Sequence, residues 1–67
     1  MLGQVKWFNT QKGYGFIAPD SGGADIFVHI TDVQKAGFSE LIEGQRLSFE
    51  HENGKNGKPC ARQLRGI

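Results

Sequence analysis

Sixty-seven residues with a formal net charge of +1 and 37% hydrophobic side chains have room for one small domain and exclude a multi-domain enzyme. No apolar run approaches the roughly 20 residues of a membrane span, and the opening Met1-Leu2-Gly3-Gln4-Val5-Lys6-Trp7 lacks a charged leader followed by an apolar stretch, so a cytoplasmic chain is expected. The single cysteine, Cys60, cannot form an internal disulfide, and His29, His51 and Cys60 have no zinc-ligand spacing, so neither a metal nor another cofactor is expected.

Ten glycines break the chain into short pieces, and no window sustains a 3.6-residue period, which reads as all-β. Residues 3–9 form the first predicted strand, with Asn9-Thr10-Gln11-Lys12-Gly13 as its turn. Residues 14–18 form the second, stopped by Pro19 and the Asp20-Ser21-Gly22-Gly23 loop. Residues 25–30, Asp-Ile-Phe-Val-His-Ile, are rich in β-branched and aromatic side chains and form the third. From Thr31 to Glu43 the pattern weakens into a connection, with a short helical turn expected near residues 31–33. Residues 45–52 alternate as a fourth strand with Leu47 and Phe49 inward, and Asn53-Gly54 and Asn56-Gly57 mark a hairpin loop before a fifth strand from Pro59 to Leu64. Five short strands in so small a chain fit a five-stranded antiparallel Greek-key barrel of the OB type better than a sandwich, which needs about seven.

Alternation in the second and third strands separates two faces. Ile17, Ile26 and Val28 form an aliphatic set suited to line a small barrel; Tyr14, Phe16, Phe27 and His29 then face water. A contiguous exposed aromatic patch marks an interaction site. Flat rings on a sheet, with Lys6 and Lys12 nearby, suit a single-stranded nucleic acid, because rings stack on bases and cations hold phosphates. Trp7 and Phe8 are consecutive and point to opposite faces. Val5 shares the parity of Trp7, which favours Trp7 inward unless a bulge turns it out.

Charge is distributed unevenly. Residues 1–19 hold Lys6 and Lys12 without an acid, residues 20–52 hold all seven acids against Lys35 and Arg46, and the last fifteen hold Lys55, Lys58, Arg62 and Arg65 without an acid. Either a basic patch draws a polyanion, or acids and bases from different segments interleave in space.

Lys12-Gly13-Tyr14-Gly15-Phe16-Ile17 and Ile26-Phe27-Val28-His29 resemble the two ribonucleoprotein motifs of the cold-shock proteins, in order and spacing. Gly3-Gln4-Val5-Lys6-Trp7-Phe8-Asn9, Gly37-Phe38 and Glu43-Gly44-Gln45 extend the resemblance over essentially the whole chain. It implies a barrel that binds single-stranded RNA and DNA with low sequence selectivity, favours pyrimidine-rich stretches and acts as an RNA chaperone. Such activity would regulate transcription or translation, including in a cold-shock response. Carried over by position, Lys6, Trp7, Lys12, Tyr14, Phe16, Phe27, His29 and Phe38 fall at nucleic-acid contacts, which places Trp7 on the surface despite its parity. Asp25 falls where the family hydrogen-bonds a base edge, although an exposed loop carboxylate is an equally good reading. Two features depart from the family: Ile30 stands where many members have an aromatic, and the closing segment is unusually basic. Within it, Lys58, Arg62 and Arg65 either contact phosphates or solvate the last strand.

Two other classes of function compete with this reading. Asp25 with His29 is the one pairing that could act as an acid/base couple, but no nucleophile with an orienting partner accompanies it, so no catalytic residue is assigned. Gly13-x-Gly15 lacks the third glycine and the following helix of a phosphate-binding fingerprint. A protein-interaction module would also display an aromatic patch with a basic rim; salt dependence separates it from a nucleic-acid binder. A monomer without an obligatory protein partner is the default, with a dimer permitted.

Overall fold

The computed structural model describes residues 1–54 and 59–67. The strands are β1 (Leu2–Asn9), β2 (Tyr14–Pro19), β3 (Ile26–His29), β4 (Arg46–Asn53) and β5 (Pro59–Gly66), with the helix α1 (Ile30–Lys35) between β3 and β4. They close into a barrel in the order β1-β2-β3-β5-β4, the OB-type architecture expected. Closure removes the open sheet edges through which a small β domain would otherwise aggregate. Four of the pairings are antiparallel; the β3–β5 seam is parallel, registered at Phe27 against Cys60. The expectation of antiparallel pairing is amended at that seam alone. The Asn56-Gly57 part of the predicted hairpin loop lies outside the described residues.

Inside the barrel the inward set is where alternation puts it: the aliphatic Ile17, Ile26 and Val28, with Leu47 and Phe49 of β4, are all buried. Val33 of α1 and Leu41 of the following connection join them, so the segment without a clear period still closes one end of the core. The third strand ends at His29 rather than Ile30, because Ile30 begins α1. Burying a large aliphatic or aromatic side chain contributes roughly 1.5–3 kcal/mol, so this small core is the main stabilising term of the fold.

Two bulges break the period-two rule. In β1, Val5 pairs with Ile17 and Trp7 with Phe16, leaving Lys6 as an extra residue. Beyond it the faces exchange: Phe8 packs against the core and Trp7 turns outward. In the β4–β5 ladder, Ser48 pairs with Arg65 and Glu50 with Arg62, so Gln63 and Leu64 stand opposite the single residue Phe49. The extra residue lets Ala61 and Leu64, three apart, both point inward.

Gln63 takes up the second bulge with φ 52°, a left-handed conformation that costs an L-residue roughly 1–2 kcal/mol. Glycine would relieve that strain but lose more entropy on folding. Gln63→Gly is therefore expected to stabilise the domain by a net gain of about 0.5–1 kcal/mol, read as a higher urea midpoint at unchanged m. A lower midpoint would show that the glutamine side chain contributes more than its backbone costs.

Candidate nucleic-acid interface

The turn between β1 and β2 is built locally. The Asn9 side chain accepts the Lys12 backbone N–H at 3.0 Å, and the Asn9 carbonyl accepts the Gly13 N–H at 2.8 Å. Gly13, at φ 79°, then passes the chain into β2 through a conformation that glycine adopts without penalty. Its carbonyl accepts the Ile30 N–H at 2.9 Å, tying the turn that carries Lys12 to the start of α1. Ile30 is half-buried, and a Cβ on Gly13 would lie 3.2 Å from its Cγ2. The aliphatic residue that departs from the family pattern thus packs beneath this turn.

Across β1, β2 and β3 the outward side chains form one continuous ring surface. Trp7 lies 5.5 Å from Tyr14 and 5.3 Å from Phe16, measured between ring centroids. Tyr14 stacks on Phe27 at 5.6 Å and 23°, Phe16 meets Phe27 edge-on at 5.9 Å, and Phe27 lies 6.3 Å from His29. Trp7 retains 37% of its accessible surface and His29 is exposed, while Tyr14, Phe16 and Phe27 are half-buried, partly against one another. These rings cover the outside of the wall whose inner face is Ile17, Ile26 and Val28. Edge-to-face and offset contacts of this kind contribute about 0.5–1.5 kcal/mol each beyond area burial, which holds the rings in a defined array before any ligand arrives.

His29 is fixed by its neighbour in sequence. As the N-cap of α1 it accepts the Thr31 backbone N–H on Nδ1 at 3.2 Å, and the Thr31 hydroxyl lies 3.0 Å from the same nitrogen. A backbone N–H can only donate, so Nδ1 is the acceptor and the neutral ring carries its proton on Nε2. No motif in the sequence marks Thr31. A side chain two residues beyond the histidine, at the start of a predicted helical turn, was the available signal.

The remaining candidates are placed differently. Lys12 is exposed at the turn beside Tyr14. Lys6, turned outward at the β1 bulge, forms an ion pair with Asp25 at 2.9 Å, so the two come together but engage each other. Phe38 is half-buried against the core, and a Cβ on Gly66 would lie 3.5 Å from its ring; it makes no ring contact with the array among the described residues. Lys58 lies outside the described residues. Interleaving accounts for much of the charge pattern: besides Lys6 with Asp25, Arg62 pairs with Glu52 at 3.1 Å, and Arg46 donates from Nη1 and Nη2 to the two carboxylate oxygens of Asp20. An open groove of about 910 Å³ runs between α1 and the β4–β5 ladder, lined by Asp32, Lys35, Glu50, His51, Arg62 and Arg65 among others, and none of the array's rings lines it. Among the described residues, no cluster of metal-ligating side chains occurs and no helix is long and apolar enough to cross a membrane.

A closed five-stranded barrel with an aromatic array over three of its strands defines a small OB-type binding protein. The family model of the 'Cold-shock' DNA-binding domain matches residues 1–67, and the chain belongs to that family. It is 54% identical over 61 residues to the cold shock-like protein CspA of Vibrio cholerae, covering 91% of this chain and 87% of the relative. It is 52% identical over 60 residues to the major cold shock protein of Micrococcus luteus, covering 90% of each. To the cold shock-like protein CspE of Escherichia coli K12 it is 52% identical over 59 residues, 88% of this chain and 86% of the relative. As a member of this family it is a nucleic-acid-binding protein and not an enzyme.

Proposed function

We propose that residues 1–67 act as a single domain that binds single-stranded RNA and DNA by stacking bases on Trp7, Tyr14, Phe16, Phe27 and His29. The observation that carries this reading is the continuous ring array on the outer face of β1–β3, opposite the buried Ile17, Ile26 and Val28 of the inner face. Every base has a π-face, so selectivity among sequences is low, with a pyrimidine-rich preference arising from stacking strength and backbone flexibility. Lys6 and Lys12 each neutralise a phosphate.

Pairing hides base faces, so such a domain binds RNA when it is open and shifts hairpins toward the unpaired state by mass action. That is RNA chaperone activity, and it needs no nucleotide hydrolysis. The cold shock names of its relatives support a role in that response, through transcription or translation in the cytoplasm, as a monomer without an obligatory protein partner.

Trp7 is the one tryptophan of the chain, so its fluorescence reports from within the array. Titration with an oligothymidine of seven nucleotides is expected to quench it, less so as salt rises, while a duplex of that length has little effect. Lys12→Ala should lower the slope of log K against log salt by about 0.7, the value for one phosphate on a single strand. Absence of quenching and of binding by a second method, with either DNA or RNA, would overturn the proposal and favour a protein partner for the rings.

A further inference from the structure

Asn53 and Asn56 each precede a glycine, whereas Asn9 precedes Thr10. Asn53 is the last residue of β4, exposed to water and paired with Pro59. Proline has no N–H, so it donates nothing to the Asn53 carbonyl. On the other side of β4, β1 is registered only with Arg46 to Ser48, well short of this end. Among the described residues the Asn53 side chain makes no hydrogen bond. Asn9 is held in the opposite way: it is half-buried, its side-chain oxygen accepts the Lys12 N–H at 3.0 Å, and its carbonyl accepts the Gly13 N–H at 2.8 Å.

We propose that Asn53-Gly54, at the end of β4, is a site of spontaneous modification at which the asparagine deamidates to aspartate and isoaspartate. The backbone nitrogen of Gly54 gives up its proton and attacks Cγ of Asn53; the bond from Cγ to the side-chain nitrogen breaks, and that nitrogen leaves as ammonia. The product is a five-membered succinimide. Water then opens the ring: attack at the side-chain carbonyl leaves aspartate, and attack at the backbone carbonyl leaves isoaspartate, whose main chain runs through the former side chain. One water is consumed and one ammonia released, without oxidant, reductant or enzyme. Ring closure requires Asn53 to leave the extended conformation, and an exposed strand end opens at little cost. Gly54 has no Cβ to hinder the approach of its nitrogen or to restrict its backbone. At Asn9 the same motion must break both turn hydrogen bonds, and the attacking nitrogen belongs to a β-branched residue. Either product puts a carboxylate where a neutral amide stood, just before the basic closing segment, and takes the formal net charge from +1 to zero, the condition that promotes self-association.

The test is to incubate the folded chain in mildly alkaline buffer and follow each asparagine by tryptic peptide mapping. Trypsin cuts after Arg46 and Lys55 but not between Lys58 and Pro59, so Asn53 falls in the peptide Leu47–Lys55, apart from Asn56 in Asn56–Arg62 and Asn9 in Trp7–Lys12. Leu47–Lys55 is expected to accumulate its aspartate and isoaspartate forms, resolved by chromatography and mass, at a rate within about tenfold of the free synthetic peptide of that sequence, since local opening of a strand end is nearly free. The rate should rise with pH, because the Gly54 amide must lose its proton. Asn9 should stay intact over the same interval. Asn53→Gln, which would have to close a six-membered ring, should leave Leu47–Lys55 unchanged. An Asn53 that remains intact in the folded chain while the free peptide converts would show that the ladder holds the strand end closed, and overturns the proposal. Conversion of Asn9 as fast as Asn53 also overturns it, because exposure and the lack of hydrogen bonds would then not select the site.

Discussion

Gly15→Ala is expected to destabilise the domain by about 3 kcal/mol, at the upper end of what over-packing a tight site costs. A Cβ at Gly15 would stand 2.4 Å from the Trp7 carbonyl oxygen, 2.6 Å from Cδ1 of Phe8 and 2.8 Å from its Cα. Two of those three atoms are backbone, so no rotamer change makes room and β1 must move away from β2. Those strands are registered just there, Phe8 against Gly15 and Trp7 against Phe16. At roughly 4–8 °C per kcal/mol for a domain of this size, thermal unfolding should fall by about 12–24 °C. For a chain with only a few kcal/mol in hand, much of the population would then be unfolded near 37 °C. Any fraction that folds should also bind single strands weakly, because the shift displaces Trp7 from the array. A melting temperature within a few degrees of the unmodified chain would mean that the two strands tolerate a wider separation than their packing implies.

The second large effect falls on binding rather than folding. Phe16→Ala and Phe27→Ala should each lose about 1–3 kcal/mol of single-strand affinity, the measured range for a stacked base, which is roughly 5- to 150-fold in Kd. The two rings touch at 5.9 Å, so their losses are coupled, and the double variant should lose about 2–5 kcal/mol. Both face outward from a core formed by other residues; removing either sacrifices three ring contacts, about 0.5–1.5 kcal/mol each, but leaves the core itself intact, so the fold should survive. The decisive combination is a cooperative unfolding transition that persists while heptathymidine binding collapses. Loss of folding in both single variants would identify the rings as core; unchanged affinity in both would remove them from the interface.

The two effects differ because the array and the core share strands but not faces. Gly15 and Ile17 occupy the inner parity of β2 and Tyr14 and Phe16 the outer, so one strand both sets the stability of the domain and displays the rings. Rigidity of the inner face favours binding by the outer: rings held in mutual contact need little ordering when a base arrives.

Much of this was legible in the sequence because strand alternation is a local property. Ile17, Ile26, Val28, Leu47 and Phe49 occupy the inner parity of uninterrupted strands, and each is buried. Tyr14, Phe16, Phe27 and His29 take the opposite parity, and all four belong to the array. Parity failed where a bulge intervened. From Val5, counting by two sends Trp7 inward, and the extra residue at Lys6 reverses that; only the family resemblance placed Trp7 on the surface. Ala61 and Leu64, at an inward spacing of three, follow from the second bulge in the same way.

Tertiary structure alone decided what no local pattern encodes. The ion pair of Lys6 with Asp25 spans nineteen positions in sequence, and it turns two separately plausible contact residues into partners of each other. Phe38 matches a family contact position by sequence, yet its ring packs against the core, near Gly66. Whether acids and bases interleave, which strand closes the barrel in parallel, and which cations remain free all depend on how distant segments meet. Side-chain direction along a strand is determined by a backbone period of two, whereas these pairings are determined by the closure of the whole barrel.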